Sequence, residues 1–317
     1  MNPATAPKSL KASALRRALP LLRGLGAVFL LAFILEKADI RALWGLFRAA
    51  PWWALVVPAV CLVINTAIQA VRLHLLLPAP GPALAEVLRA YFMANFVGLA
   101  LPAGAGDAVK VLTLRRHSRL GVLVAALAET RVQDLGMWGC LLVIGLVSPL
   151  PQRVPLLVPV AWVGAVVMLG AWLFLMPLAR ATAGWSRLPP KLATALAPFS
   201  GEGVAVPARR WSGVLTVPFV ALNVLSVWVI LQGYQVMMPP LDVARVVAAA
   251  DVLISLPITV GGLGVREHAY ALSFEPWGCS VTQAVAVALT RWAAEWGRAG
   301  IGAALLIAGR AAPARTG

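Results

Sequence analysis

Charge is scarce in this chain. Of 317 residues, 12% are Asp, Glu, Lys or Arg, about half the share in an ordinary soluble domain. Acids are the scarcer sign: 12 stand against 27 Lys and Arg, which leaves a net charge of +15. Cysteine is scarce too. Cys61, Cys140 and Cys279 are widely spaced, without a CxxC pair, so neither a disulfide framework nor a cysteine metal site is supported. His74, His117 and His268 are scattered and form no ligand set. The sequence contains no HExxH, GxSxG or Walker A motif, which excludes a zinc peptidase, a serine hydrolase and an ATP motor of the common kinds. Gly262-x-Gly264 has no βαβ setting and is no dinucleotide fingerprint. No catalytic residue, metal or cofactor is expected.

What is present is apolar. Hydrophobic residues make up 61% of the chain and mean hydropathy is +0.85, which excludes a soluble enzyme, a coiled coil and a disordered chain. The apolar residues come in long runs, without the alternation of a membrane β-barrel. An apolar chain that must satisfy its backbone inside lipid does so with helices. The fold class is therefore an all-α polytopic membrane protein. A pI near 11.3 suggests a nucleic-acid partner only when the basic residues share one soluble face. Here they sit in short clusters between apolar runs, the distribution of the positive-inside rule. The expected partners are membrane lipids, with no nucleic acid.

Six runs are long enough to cross a bilayer, which takes about 20 residues: roughly 18–36, 52–71, 120–147, 156–178, 212–234 and 281–308. The first follows Lys8, Lys11, Arg16, Arg17 and Arg23 but no A-x-A-like cleavage site comes after it, so it reads as an uncleaved span. Two further stretches, about 87–115 and 245–275, are each interrupted by Leu-Pro and glycines: Pro102, Gly104 and Gly106 in the first, and Pro257, Gly261, Gly262 and Gly264 in the second. Their arms are too short to span, and both read as re-entrant hairpins. This keeps the basic segments Arg72–Arg89, Lys110–Arg119 and Arg180–Arg210 with the N-terminus and C-terminus on the cytoplasmic side of the inner membrane. The order becomes span, span, hairpin, span, repeated twice within one domain, 1–317. The half-repeats cover approximately 18–150 and 151–310. Three spans is an odd number, so the second half is inverted. Matching Gly/Pro interruptions in two halves point to a transport site near the bilayer midplane.

Ionised residues within the runs point to the same place. A charge at the bilayer centre costs about 2.5–3.5 kcal/mol on insertion scales and by default faces a polar cavity. The third run holds Glu129, Arg131, Gln133 and Asp134, and the sixth holds Arg291, Glu295 and Arg298. Arg131 with Asp134, Glu129 with Gln133, and Arg291 with Glu295 each share a helix face and can pair. The hairpins add Asp107 and Lys110, then Asp251, Arg266 and Glu267. A helix restarting after a glycine-rich break points its N–H groups at the break and attracts anions. A phosphate headgroup held by arginine forks suits such a place. The structural alternative is that these ion pairs only clamp helices together. Trp52, Trp53, Trp211 and Trp277 fall at span ends as interface anchors, and Gly297, Gly300 and Gly302 read as close-packing positions.

An LP-x3-G-[ED] break ending at Asp107, an E-x-R-x-x-D-L span, the segment Leu256-Pro257-Ile258-Thr259-Val260-Gly261-Gly262-Leu263-Gly264-Val265-Arg266-Glu267 and an Arg-containing last span together resemble the flippase-like transmembrane domain of the lysylphosphatidylglycerol synthase family. The resemblance covers about residues 20–308, with Asp107 where the family usually has Glu. It implies a lipid-translocating domain for aminoacyl-phospholipid, polyprenyl-phosphate-linked or hopanoid-type lipids. Since the chain ends at Gly317, it also implies a stand-alone member without the soluble aminoacyl-transferase domain. The expected substrate-binding residues are Arg266, Glu267, Arg291, Glu295, Asp107, Lys110, Arg131 and Asp134. The competing expectations are an intramembrane lipid-modifying enzyme and a non-catalytic partner of lipid-synthesis enzymes.

Overall fold

The computed structural model describes residues 38–101, 105–146, 157–170, 206–255 and 265–311, with isolated positions 32, 36, 173, 174 and 181. All regular structure among them is helical. A short helix α1 (Ile40–Ala49) precedes α2 (Trp53–Leu76), α3 (Leu84–Ala100), α4 (Ala105–Leu114), α5 (Leu120–Leu146) and α6 (Leu157–Gly170). Then come α7 (Val206–Val214), α8 (Thr216–Gly233), α9 (Pro240–Ser255), α10 (Val265–Phe274) and α11 (Val281–Ala311). The first sequence span lies almost wholly outside the described residues.

Local chemistry sets several helix ends. Asp39 accepts from the N–H groups of Arg41 and Ala42 at 2.8 and 3.1 Å and so caps α1. Ser280 and Gln283 form a reciprocal capping box at the start of α11, at 2.9 and 3.2 Å. Pro78 follows the last residue of α2 and its cap, where proline cannot continue a helix. Two helices, Trp53–Leu76 and Val206–Gly233, are both long and apolar enough to cross a bilayer. Helices α5 and α11 have 27 and 31 residues, about 40 Å or more at 1.5 Å per residue. Each carries three ionised residues near its middle, whereas Arg72, Arg209 and Arg210 of the other two helices lie toward their ends.

The interrupted stretches are each a helix followed by a short one. Helices α4 and α10 have ten residues apiece, about 15 Å, or half a bilayer. Pro102, Gly104, Pro257, Gly261, Gly262 and Gly264 lie outside the described residues; Gly106 is described. Helix α4 folds back along α3. The Lys110 ammonium lies 4.3 Å from the centre of the Tyr91 ring, and Gly106 packs against Gly98 and Ala94 nearer the break. A Cβ on Gly106 would stand 2.7 Å from the Ala94 carbonyl oxygen, so the close approach requires glycine there.

The long helices pair across the chain. Helix α2 packs on α8, α3 packs on α11, and α9 packs on α5. Helix α2 runs antiparallel to α7 and α8: Asn65 donates to the Phe219 carbonyl of α8 at 3.2 Å, and Arg72 to the Ser212 carbonyl of α7 at 3.1 Å. The α3–α11 pair is antiparallel as well. Phe96 meets Trp296 edge-on at 6.3 Å, and Gly302 lies against the Phe92 carbonyl, where a Cβ would overlap the backbone. Of the three glycines expected to allow close packing, only Gly302 does so; a Cβ on Gly297 or Gly300 would meet nothing within 4 Å. A backbone carbonyl cannot move aside, so Gly302→Leu is expected to cost about 1–3 kcal/mol by overpacking, whereas Gly297→Ala should be nearly neutral. Thermal unfolding of the purified variants in detergent checks the contrast.

The larger apolar core lies between α5, α6, α8, α9, α10 and α11, and the smaller joins Leu73, Val87, Leu114 and Leu123 from α2 to α5. Outside these cores, large apolar side chains face outward, among them Val163, Val166 and Val167 on α6. A helix apolar on every side belongs in lipid or in a large core. Trp52 and Trp211 are exposed at helix ends.

Candidate functional site

Two buried charge clusters stand where the short helices meet the long ones. In the first, Arg72 of α2 is 1% exposed and uses its whole guanidinium. It donates to Asp134 at 2.6 Å, to the Thr130 carbonyl at 3.3 Å, to Gln133 at 3.2 Å and to the Ser212 carbonyl. Its plane also lies 5.4 Å from the Phe219 ring. Asp107, in the first turn of α4, accepts from Lys110 at 2.8 Å and from Arg131 of α5 at 3.3 Å. Lys110 is buried, whereas the Arg131 side chain is 61% exposed. Between them lies a small polar cleft lined by Arg72, Tyr91, Lys110, Thr130, Arg131 and Asp134. Three cations thus face two carboxylates.

The second cluster centres on Glu295 of α11. Its carboxylate meets Arg266 of α10 at 3.1 Å and Arg291, one turn back on α11, at 3.4 Å. Arg291 also donates to Ser226 and, at 2.8 Å, to Asn223, both on α8. Glu267 is 1% exposed, and Asp251 of α9 lies in the field of Arg266 and Arg291. The clusters have the same plan with signs exchanged. Each of the long helices α5 and α11 carries an arginine and an acid in its cluster. One of these binds the short helix after the break (Arg131 to Asp107, Glu295 to Arg266). The other binds the long helix before the break (Asp134 to Arg72, Arg291 to Asn223 and Ser226).

All eight expected binding residues fall in these two clusters, four in each. Their pairing differs from the sequence reading, except for Arg291 with Glu295. Arg131 turns to Asp107 and Asp134 to Arg72, rather than to each other. Glu129 pairs with Arg209 at 3.3 Å, and Gln133 bonds Arg72 and Ser212. An intrahelical pair contributes only a few tenths of a kcal/mol; a partner on a packed neighbour brings several hydrogen bonds in a dry site and wins. Arg72 itself, read from the sequence as the start of a cytoplasmic loop, lies inside α2 and is buried. Its trace in the sequence is that Leu73, Leu75, Leu76 and Leu77 continue the apolar pattern beyond it, interrupted by His74. Asn223 and Ser226 were also missed, for they are ordinary residues of an apolar span until Arg291 arrives.

The short helices differ from a bare anion site in one respect. Each has a carboxylate in its first turn, Asp107 and Glu267, which already complements the helix dipole. The cationic side chains around the break therefore supply the remaining attraction for an anion. Among the described residues, no group of three His, Cys, Asp or Glu side chains is placed to hold a metal ion.

Residues 20–297 match the family described as the lysylphosphatidylglycerol synthase TM region. The chain belongs to that family. No curated protein and no solved structure matches it. Membership makes the chain a membrane protein associated with lipid metabolism or transport. The matched region contains both interrupted helix pairs and every residue of the two clusters, so the charges are features of the family domain and not of an appended segment.

Proposed function

We propose that this chain is a lipid flippase, moving a lipid with a polar or anionic headgroup across the inner membrane while its acyl chains stay in the bilayer. The observation that carries this reading is the pair of charge clusters of one plan, each built around a short helix that restarts inside an apolar stretch. Buried charges gathered at an interrupted helix are the recurrent architecture of a transport site. In this reading α3–α4 and α9–α10 are re-entrant hairpins among six spans, and the halves 18–150 and 151–310 form an inverted repeat. The antiparallel α2–α8 contact supports the inversion. Equivalent helices related by an axis in the membrane plane meet antiparallel, whereas an axis along the normal makes them parallel. The hairpins then open to opposite sides, with both termini in the cytoplasm.

Arg131 is the group offered to the headgroup in the first cleft. It is the most exposed of the cluster cations, and at 3.3 Å its contact with Asp107 is the longest ion pair there. Arg131→Ala is therefore expected to remove most lipid transport and to change stability by less than about 1 kcal/mol, as for an exposed ion pair. Leaflet equilibration of a fluorescent lipid in reconstituted vesicles measures the first, and thermal unfolding the second. Wild-type rates from Arg131→Ala would remove the first cleft from the transport path. The chain moves lipid without altering it; recovery of a covalently changed lipid would replace this reading with an enzyme.

A further inference from the structure

Helix α1 plays no part in the two clusters, yet its outward face is distinctive. Leu43, Leu46, Phe47 and Ala50 turn inward onto the larger core, and the helix packs on α11. The Asp39 N–H donates to Thr282 Oγ1 at 3.2 Å and fixes the start of α1 to the start of α11. The opposite side presents Ile40, Trp44 and, just beyond the helix, Trp52, which are 69, 59 and 74% exposed. Arg41, Trp44 and Arg48 follow one another at helical spacing on that side, both arginines exposed. The Arg48 guanidinium lies 5.2 Å from the centre of the Trp44 ring. There is no acid from Ile40 to Trp52, and Asp39 is committed to the helix cap. Among the described residues, no carboxylate pairs with either arginine.

From this we infer that α1 lies in the plane of the membrane interface and is a docking surface for anionic phospholipids, with Arg41 and Arg48 each holding a lipid phosphate. An amphipathic helix with large apolar residues and cations on its outer face binds the headgroup boundary in this way. Indole and guanidinium are the groups suited to that depth. Arginine offers a fork that matches phosphate oxygens, and stacking on Trp44 holds one fork in place. Under the topology proposed above, on which the side of the membrane rests, α1 lies outside. There the positive-inside bias works against arginine, so the two residues stand where orientation alone gives them no reason. The same end of the molecule carries the start of α11 and the outer ends of α9 and α10, so the helix collects anionic lipid beside the second hairpin.

The test uses the full chain in nanodiscs of phosphatidylcholine containing phosphatidylglycerol. Lipids retained through detergent extraction are counted by mass spectrometry. The Arg41→Gln/Arg48→Gln variant is expected to retain phosphatidylglycerol more weakly by about fivefold per arginine, and Arg41→Glu/Arg48→Glu to lose the enrichment. Arg116→Gln, at an exposed arginine outside α1, should match the wild type. Undiminished enrichment in both double variants would overturn the assignment, and so would loss of a co-purifying protein with lipid retention unchanged. Retention is read without transport. A chain that fails to flip lipid but loses phosphatidylglycerol in these variants would therefore contradict the flippase reading alone.

Discussion

Glu295→Ala is expected to abolish lipid transport and to lower stability by about 3–5 kcal/mol, the usual result of removing one partner from a buried ion pair. The carboxylate is 7% exposed and is shared by Arg266 at 3.1 Å and Arg291 at 3.4 Å. Without it, two guanidiniums of like charge face each other in a dry site. Asn223 and Ser226 still hold Arg291, but Arg266 loses the carboxylate it meets at 3.1 Å. Glu295→Gln separates charge from shape. It preserves the volume and an acceptor oxygen, so it should recover part of the stability and little of the transport. Thermal unfolding in detergent and leaflet equilibration in vesicles, measured on the same preparations, read the two quantities. Equal recovery of both in Glu295→Gln would make the second cluster a helix clamp.

The second large effect is at Arg72. Arg72→Met leaves Asp134 without its 2.6 Å partner and strips donors from Gln133 and from the Thr130 and Ser212 carbonyls. A loss of about 3 kcal/mol or more is expected, chiefly from the buried carboxylate left unpaired. Arg72→Met/Asp134→Leu removes both charges. Replacing a buried pair by apolar residues of similar volume is often neutral for stability, so the double variant should unfold near the wild-type temperature. It should still fail to transport, because the first cleft then keeps only Lys110 and Arg131 against Asp107. A double variant that folds and transports normally would show that this pair serves assembly alone.

The parts of the molecule legible in the sequence are those fixed by neighbours along the chain. Leu-Pro followed by glycines lies between α3 and α4 and again between α9 and α10, because proline and glycine act locally on the backbone. Arg291 and Glu295 pair as their four-residue spacing implies. The acids and bases singled out inside the apolar runs lie in or beside the two clusters, because a charge in lipid needs a polar surrounding. The partners were not legible. Arg72 and Asp134 are 62 residues apart, and Arg291 and Asn223 are 68 apart; both depend on how α2 and α8 cross and on which face of α5 or α11 meets them. The glycines of α11 teach the same point. Gly297, Gly300 and Gly302 look equivalent in the sequence, yet only Gly302 faces the α3 backbone.

The most direct measurement is the rate at which a fluorescent phospholipid equilibrates between the leaflets of vesicles containing the purified full chain, followed by bleaching the outer leaflet. Wild-type protein is expected to accelerate equilibration well above protein-free vesicles, and Arg131→Ala, equally abundant and equally stable, is expected to return it close to that background. No acceleration by the wild type with any glycerophospholipid, polyprenyl-phosphate or hopanoid-type lipid would contradict the proposed transport.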